Sequence, residues 1–370
     1  MRVNWRVINA AASSYAPLFA SCAEYGFYLR PVDAPAPDIT CYSLNSVNEP
    51  AFREEIARAG CTTIVGGPHA SACPEQVAAY ADYVVVGEGE FTLPRLLSRL
   101  EEGGTGPVPG VVCRGGTLPT DHTVILDAFP PFSVMKGYIE ISRGCPFGCA
   151  YCQTPCLFGS TMRHRSIDTI VRFASRYHDI RFVSPNALAY GSDGRTPRLE
   201  KVAALLSRLS GNIYFGTFPS EVRPEFISGE ALDLIASCRA SRRIAFGAQS
   251  GSDRILSLIR RGHTIADVIA AVECCRAHDF VPSVDFILGF PFETAEDEEE
   301  TLGLIRWVTR HGKARVHAFI PLPGTALAGT VPRPLSRHTL QILGNLALHG
   351  RITGSWNDPA VRFFKARSDI

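Results

Sequence analysis

The 370-residue chain has no long apolar run. No window approaches the ~18 consecutive apolar residues that a membrane-crossing helix needs. Met1 to Ala12 carries Arg2 and Arg6 but no apolar core of the kind that marks a secretory leader. An excess of charge of either sign is missing too. With 37 basic and 36 acidic residues the formal net charge is +1, so no long-range field draws the chain to nucleic acid or to an anionic membrane. No sequence-level repeat is visible beyond an alternation of strand and helix patterns. These absences predict a cytoplasmic protein with no membrane span and no nucleic-acid footprint. Its 12 cysteines, without an export signal, are then expected to stay reduced or to bind metal.

An apolar content of 46% is ample for buried cores, and its arrangement is informative. Up to about Leu100, short apolar runs alternate with helical stretches: Val3 to Ile8, Phe27 to Val32, Ile39 to Leu44, Thr62 to Val65 and Tyr83 to Val86. That rhythm predicts a small parallel α/β sheet. Gly and Pro crowd Gly103 to Gly116 and Pro130 to Pro131, with Val111 to Cys113 between them, as in an interdomain connection, which places a boundary near residue 130. Six further strands follow, at Tyr138 to Ser142, Arg181 to Ser184, Ile213 to Thr217, Arg243 to Ala248, Ser283 to Leu288 and Arg315 to Ile320. Between them run helical periods such as Ile167, Ile170, Val171, Ala174 and Ile265, Val268, Ile269, Val272. The fold class is α/β: a Rossmann-like domain over 1–130, a partial (βα)6 barrel over 131–330, and over 331–370 a helix from Arg337 to Leu348 with an irregular tail holding Trp356, Phe363 and Phe364.

Unusual residues gather where the six strands end: Gly144-Cys145, Pro185-Asn186, Phe218 to Glu221, Gln249-Ser250, Gly289-Phe290-Pro291 and Pro321 to Thr325. In a parallel barrel the carboxyl rim carries the active site, so six loops converge on one mouth. Within the first loop, Cys145, Cys149 and Cys152 place three thiolates in eight residues. Thiolates ligate iron-sulfur clusters, and four irons held by three cysteines leave one iron open. Cys156 follows, so a closed four-cysteine zinc site or an electron-transfer cluster is the alternative.

The three-then-two spacing with Tyr151 before the last cysteine resembles the radical S-adenosylmethionine superfamily. Phe246 to Asp253 followed by Arg260 to Thr264 resembles a segment shared by methylthiotransferases and cobalamin-domain radical enzymes. Asp285 to Thr294 is similar to their Gly-Phe-Pro-Gly-Glu-Thr loop, with Phe292 in place of Gly, and Pro323-Gly324-Thr325 to their last-strand loop. The resemblance implies a 4Fe-4S cluster on Cys145, Cys149 and Cys152. Its open iron would chelate S-adenosylmethionine, and reductive cleavage to a 5'-deoxyadenosyl radical would follow. Tyr151, Asn186, Gln249, Ser250, Gly289 and Pro323 are the candidate contacts of that cofactor. Glu221 and Glu293 are candidate rim acids, whereas Arg260 and His263 read as helix-start residues on a solvated face.

In the first domain, Gly66-Gly67-Pro68-His69 and Gly87-Glu88-Gly89-Glu90 both end apolar strands in tight turns that allow close approach of a phosphate or a corrin edge. With the Leu126 to Phe132 linker they resemble the cobalamin-binding domain that precedes many such barrels, making Gly66, Gly67, Gly87 and Gly89 candidate cobalamin contacts. The Asp-x-His-x-x-Gly cobalt-ligand motif is absent, and Ser13-Ser14-Tyr15 occupies the expected first loop. His69 is read as a solvent-facing or capping residue, and Cys22, Cys41, Cys61, Cys73 and Cys113 as buried small apolar groups. The resemblance favours a cobalamin-dependent radical methyltransferase acting on an unactivated carbon. It would be fed by an external electron donor such as a ferredoxin or flavodoxin and act on a substrate that the sequence does not name. Ring formation or rearrangement, methylthiolation, and a non-catalytic iron-sulfur or cobalamin-binding role are the alternatives. Methylthiotransferases usually carry three further N-terminal cluster cysteines and a small RNA-binding barrel, for which the about 45 residues after Thr325 are too few.

Overall fold

A computed structural model describes residues 1–8, 15–104, 106–113, 127 and 138–357. The boundary near 130, Ser13, Ser14, most of the Leu126 to Phe132 linker, and Phe363 and Phe364 lie outside the described residues. The strands are β1 (Val3–Arg6), β2 (Arg30–Val32), β3 (Ile39–Ser43), β4 (Thr62–Gly66), β5 (Tyr83–Val85), β6 (Val111–Cys113), β7 (Ile139–Glu140), β8 (Ser142–Arg143), β9 (Arg163–His164), β10 (Asp179–Val183), β11 (Asn212–Tyr214), β12 (Arg243–Gln249), β13 (Val281–Leu288), β14 (Lys313–Ala318) and β15 (Ile352–Gly354).

The first six strands form one sheet in the order β2-β1-β3-β4-β5-β6. Apolar runs such as Ile39-Thr-Cys-Tyr suit strands buried on both faces, as parallel strands are. One face packs Trp5 and Ile64 against Phe19, Leu96 and Leu97 of helices Ala16–Glu24 and Gly89–Glu101. The other packs Tyr42 and Val65 against Ile56 and Val77 of helices Glu49–Ala57 and Pro74–Ala78. The run Val111 to Cys113, expected in the connection, is instead the sheet's antiparallel edge strand, pairing with β5. Three apolar residues among glycines and prolines carry no period by which sequence could tell strand from linker.

The second half is a partial barrel. β7, β10 and β11 pair in parallel, as do β12, β13, β14 and β15, and the isolated parallel bridges Ile213 to Ala240 and Val222 to Phe246 join the two groups. Six of these strands are the expected ones. The seventh, β15, lies in what sequence reads as an irregular tail, just after the expected helix Arg337–Leu348. Gly354 permits its pairing: at φ +130°, an added Cβ would lie 1.9 Å from the Val316 carbonyl oxygen. The outer helices start on hydroxyl caps that set where each strand-end loop stops. Ser166, Ser228 and Ser336 accept from backbone N–H groups, and Thr264/Asp267 and Thr294/Asp297 form reciprocal capping boxes. No helix among the described residues is long and apolar enough to cross a membrane.

Candidate functional site

The cysteine loop begins where β8 pairs antiparallel with β9, forming a neck. Gly144, at φ +85°, is required there because a Cβ would meet the Thr161 carbonyl oxygen at 2.2 Å. Backbone bonds pin the loop from three sides: Cys145 N–H to Gly159 O (3.1 Å), Ala150 N–H to Ile259 O (2.9 Å) and Leu327 N–H to Ala150 O (3.2 Å). The result is a fixed loop at the barrel's carboxyl rim.

Cys145, Cys149 and Cys152 all line one cavity of about 540 Å³ inside that rim. Cys156 is exposed and lies outside the lining. It faces the last-strand loop instead, where a Cβ on Gly324 would be 3.0 Å from its Sγ. Among the described residues, no three His, Cys, Asp or Glu side chains gather as ligands of a single metal ion. This arrangement does not fit a closed four-cysteine zinc site, and it does fit a cluster in which each thiolate binds its own iron. Burial pushes the Cys145 thiol above its ordinary range; the Phe147 N–H opposes this, while Cys152 and Cys149 add to it.

Tyr151, Asn186 and Gln249 line the same cavity. Asn186 is 3% exposed, and neither atom of its amide has a hydrogen-bond partner. A buried amide left so costs stability, and a polar ligand in the cavity would satisfy it. Gln249 sits at φ +72°, a left-handed conformation unusual for a side-chain-bearing residue, at the irregularity in the β12 to β13 register. Its amide folds back over Gly247, where a Cβ would be 1.8 Å from Nε2. Tyr151 is packed beside Phe290, ring centres 6.0 Å apart, and burial raises its phenol pKa.

Ser250, Gly289 and Pro323 lie on the rim loops but do not line the cavity. Ser250 Oγ is within 3.2 Å of Thr301 Oγ1 and accepts from Ser252 N–H. Gly289 N–H donates to Glu293 Oε2 (2.6 Å), and the Pro323 carbonyl accepts from Gln153 Nε2 (2.7 Å). These residues brace loops. Glu293 does the same, its carboxyl pushed up to about 7 by burial. Of the two candidate rim acids only Glu221 faces the cavity.

Sequence reasoning missed several lining residues. Asp285 and Arg315 project inward from β13 and β14, with Arg315 Nε 3.3 Å from Asp285 Oδ1 and Nη1 3.2 Å from Glu221 Oε1. Burial, and then the neighbouring Glu221, hold the Asp285 carboxyl well above the usual carboxylate range. A carboxyl that stays protonated when folded but ionises at ~3.9 when unfolded makes the folded state lose stability as pH rises beyond that value. Asp285→Asn removes the ionising group. Its unfolding free energy should therefore gain on wild type between pH 5 and pH 8, by up to about 1.4 kcal/mol per pH unit. Denaturant melts at the two pH values check this, and a gap independent of pH would be the contrary result. Arg261 also lines the cavity and donates to Cys149 Sγ at 3.7 Å.

Two histidines need correction. His263, read as solvated, is 6% exposed, with Nε2 3.2 Å from the Ala248 carbonyl oxygen and Nδ1 3.5 Å from Glu225 Oε2. Burial lowers its pKa against the pull of Glu225. The capping Thr264 turns the preceding residue inward, which a motif on a helix start does not reveal. His69 is likewise buried, Nδ1 being 3.1 Å from Ser46 Oγ. Arg260 is exposed as expected. Of the five N-terminal cysteines read as buried, Cys22 and Cys41 are, Cys61 and Cys73 are half-buried, and Cys113 is exposed on the edge strand.

Gly66, Gly67, Gly87 and Gly89 do not line the cavity. Gly67 is needed by the protein itself: at φ +97° a Cβ would stand 2.6 Å from the Leu44 carbonyl oxygen. Gly87 N–H donates to Ser71 Oγ (2.9 Å). Glu88 and Glu90 of the second turn reach across to the start of the cysteine loop. Arg143, 6% exposed, places Nη1 2.8 Å from Glu88 and Nη2 2.5 Å from Glu90, and binds Glu140 through Nε and Nη2. Arg163 holds Glu88 from the other side. Burial opposes the Glu90 charge, but Arg143 outweighs it and the carboxyl is lowered overall. The second turn is thus a buried ionic clamp.

Residues 139–305 match the Radical SAM superfamily model. Among curated proteins, a tRNA-2-methylthio-N(6)-dimethylallyladenosine synthase from Pelobacter propionicus is 31% identical over 255 residues, covering 64% of this chain and 56% of that protein. An uncharacterised protein from Methanopyrus kandleri is 25% identical over 338 residues, 74% of this chain and 63% of its own. The match thus spans little more than half to six-tenths of these relatives' length. Among solved structures, the radical S-adenosylmethionine methyltransferase TsrM from Kitasatospora setae, with cobalamin and a 4Fe-4S cluster bound, superposes at TM-score 0.65 and 18% identity over 88% of this chain and 74% of that one. The cobalamin-dependent radical enzyme OxsB, with aqua-cobalamin and S-adenosylmethionine bound, does so at TM-score 0.65 and 16% identity over 99% and 60%. Likenesses at these identities show the fold. The chain carries a radical S-adenosylmethionine superfamily domain at residues 139–305.

Proposed function

We propose that this chain reductively cleaves S-adenosylmethionine at a 4Fe-4S cluster held by Cys145, Cys149 and Cys152, and uses the resulting radical in a cobalamin-assisted methyl transfer to an unactivated carbon. The observation that carries the first part is the convergence of exactly those three cysteines on one cavity, with Cys156 outside it and the unpartnered Asn186 amide inside it. When bound and reduced by an external donor, the cluster would supply the electron for sulfonium cleavage. The chain's own residues would do the positioning. The three thiolates would fix the cluster on a pinned loop, Asn186 and Gln249 offer amide groups to a polar cofactor, and the half-buried Tyr151 packed on the buried Phe290 helps keep water from the cluster loop.

For the second part the support is the likeness in fold to TsrM and OxsB, which extends over the N-terminal sheet. No residue is assigned to the corrin and no step is routed through it. Methylthiolation is the second reading, favoured by the 31% identity to a tRNA methylthio synthase. The scatter of Cys22, Cys41, Cys61, Cys73 and Cys113 over buried, half-buried and exposed places weighs against a second cluster there.

The test is anaerobic reconstitution with iron and sulfide, followed by reductant, S-adenosylmethionine and methylcobalamin. 5'-Deoxyadenosine with co-purifying corrin absorbance is expected. Deoxyadenosine without corrin would keep the radical reading and remove the methyl-transfer one, whereas a methylthiolated tRNA product would replace the latter. A loaded cluster that yields no deoxyadenosine with any added substrate would sink the proposal.

A further inference from the structure

One wall of the cavity, built from β13, β14 and the segments after β11 and β15, carries a charged group to which none of the residues offered to the cofactor belongs. Asp285 from β13 and Glu221 after β11 both face Arg315 of β14. Arg315 Nη1 donates to Glu221 Oε1 (3.2 Å), and its Nε stands 3.3 Å from Asp285 Oδ1. Two carboxyls thus share one cation. The Asp285 side chain is 10% exposed, and its Oδ1 accepts no hydrogen bond among the described residues, so the Arg315 contact there is one of charge alone. A proton keeps this wall neutral. Burial first, and Glu221 next, hold the Asp285 carboxyl protonated well above its ordinary range, while Arg315 and Arg261 pull the other way. His317, the next titratable group on the wall, is held below the ordinary imidazole range by burial and Arg315, and its Nδ1 lies 2.8 Å from Ser355 Oγ.

The three arginines that line the cavity among the described residues are all engaged. Arg315 holds the two carboxyls. Arg223 Nε is 2.5 Å from Glu225, and its guanidinium carbon lies 3.7 Å from the Phe147 ring centre. Arg261 donates to the Gly247 carbonyl (3.1 Å) and to Cys149 Sγ. The last two address the cysteine loop. An anionic group reaching the β13 and β14 wall therefore meets two carboxyls and no uncommitted cation. A cationic group meets the reverse, because it can take the place of the Asp285 proton and leave two carboxylates matched by two positive charges. Beside this wall Phe218 is 59% exposed although it lines the cavity, and the Arg315 guanidinium carbon lies 4.4 Å from its ring centre. An exposed ring at a cavity lip offers apolar surface for a ligand to cover, and aromatic faces attract cations.

From this arrangement we infer that Asp285, Glu221 and Phe218 form the substrate subsite, and that it takes an amine, entering as an ammonium carried on an apolar or aromatic frame. The inference deepens the functional reading above and rests on it for the role of substrate; the binding site itself needs no cluster. The two carboxyls would receive the ammonium while Phe218 covers the frame. Its arrival ionises Asp285, so one proton leaves to solvent for each amine bound and the net charge of the wall is unchanged. The sign of the pH effect follows. Asp285 is protonated in the free protein and ionised in the complex, so affinity rises with pH, by up to about tenfold per unit, until the free carboxyl ionises as well.

Benzylamine is the probe, with benzyl alcohol and benzoate as uncharged and anionic controls on the same frame. Calorimetry on the full-length, anaerobically reconstituted chain, between about pH 6 and pH 8 and in buffers of different ionisation enthalpy, reads affinity and proton release together. Benzylamine should bind more tightly than either control, release close to one proton, and gain affinity as pH rises. Asp285→Asn should weaken it at least about tenfold, the size of one charged hydrogen bond, and abolish both the proton release and the pH dependence. Glu221→Gln should weaken it too, but move the gain in affinity to lower pH, because a neighbour that helps keep Asp285 protonated is gone. That variant decides if Asp285→Asn does not fold. Equal binding of benzyl alcohol, tighter binding of benzoate, no binding of benzylamine, or binding without proton release would each overturn the inference. Proton-linked benzylamine binding to a wild type that takes up no cluster would leave the amine site standing and defeat the functional reading, so the two failures are told apart.

Discussion

Arg143→Met lowers the unfolding free energy by about 3–5 kcal/mol, the usual cost of removing one partner from a buried ion pair. The side chain is 6% exposed and its partner Glu88 is 0% exposed at the side chain, so neither charge can turn to water when the other is lost. Arg163 remains to hold Glu88, but Glu90 keeps no cation in ion-pair contact among the described residues. The sign of the pH effect follows. In the wild type the Glu90 carboxyl is held low, so its stabilising contribution is complete above the unfolded value of ~4.3 and is lost as pH falls through the folded value. In the variant burial is opposed only by a backbone hydrogen bond and by Arg165, so the carboxyl moves up and the variant loses stability as pH rises. The gap between the two proteins should therefore be wider at pH 8 than at pH 5, and nearly indifferent to salt because the pair is shielded from ions. Urea melts at both pH values measure it. A loss under about 1 kcal/mol, of the size seen for exposed pairs, would mean that the clamp is an ordinary surface contact.

Cys149→Ala and Cys156→Ala should part company completely. The first removes one of three thiolates lining the cavity, and the reconstituted protein should hold iron only at background and form no 5'-deoxyadenosine. The second removes an exposed thiol that faces the Gly324 loop, and iron content and cleavage should stay within about twofold of wild type. Iron and sulfide assays with product chromatography decide it. Loss of iron in Cys156→Ala would restore the four-cysteine alternative, and S-adenosylmethionine cleavage by Cys149→Ala would remove the cluster from the place assigned to it.

The sequence was legible where chemistry depends on spacing and where strands are long. Three cysteines within eight residues announced themselves, and β12, β13 and β14, six to eight residues each, were found within two residues of their ends. β6 and β15 were not, because three residues give no period to read. The glycine turn at Gly87 to Glu90 was noticed for its backbone freedom. Its carboxylates mattered more, and their partner Arg143 lies more than fifty residues away, a pairing that only the packed chain discloses. Arg261 and His263 were seen inside a motif, yet a motif does not say which side chains turn inward. Asp285 was seen only as the start of a motif, because an acid in a strand otherwise rich in Val, Ile and Phe has meaning only beside Glu221 and Arg315.

β15 also bears on the order in which the chain is made. It pairs with β14, but the helix Arg337–Leu348 separates the two in sequence. During synthesis the outer edge of β14 therefore emerges with its N–H and C=O groups bare, and it stays so until Ile352–Gly354 has followed. An open edge beside an apolar core is a template for the wrong strand, another chain's included. The same delay applies to the cavity, since Ser355, which lines it and whose Oγ lies 2.8 Å from His317 Nδ1, arrives with that last strand. Nascent chains halted between β14 and β15 should thus be both the stickiest and the leakiest forms of the protein, and those in greatest need of a chaperone.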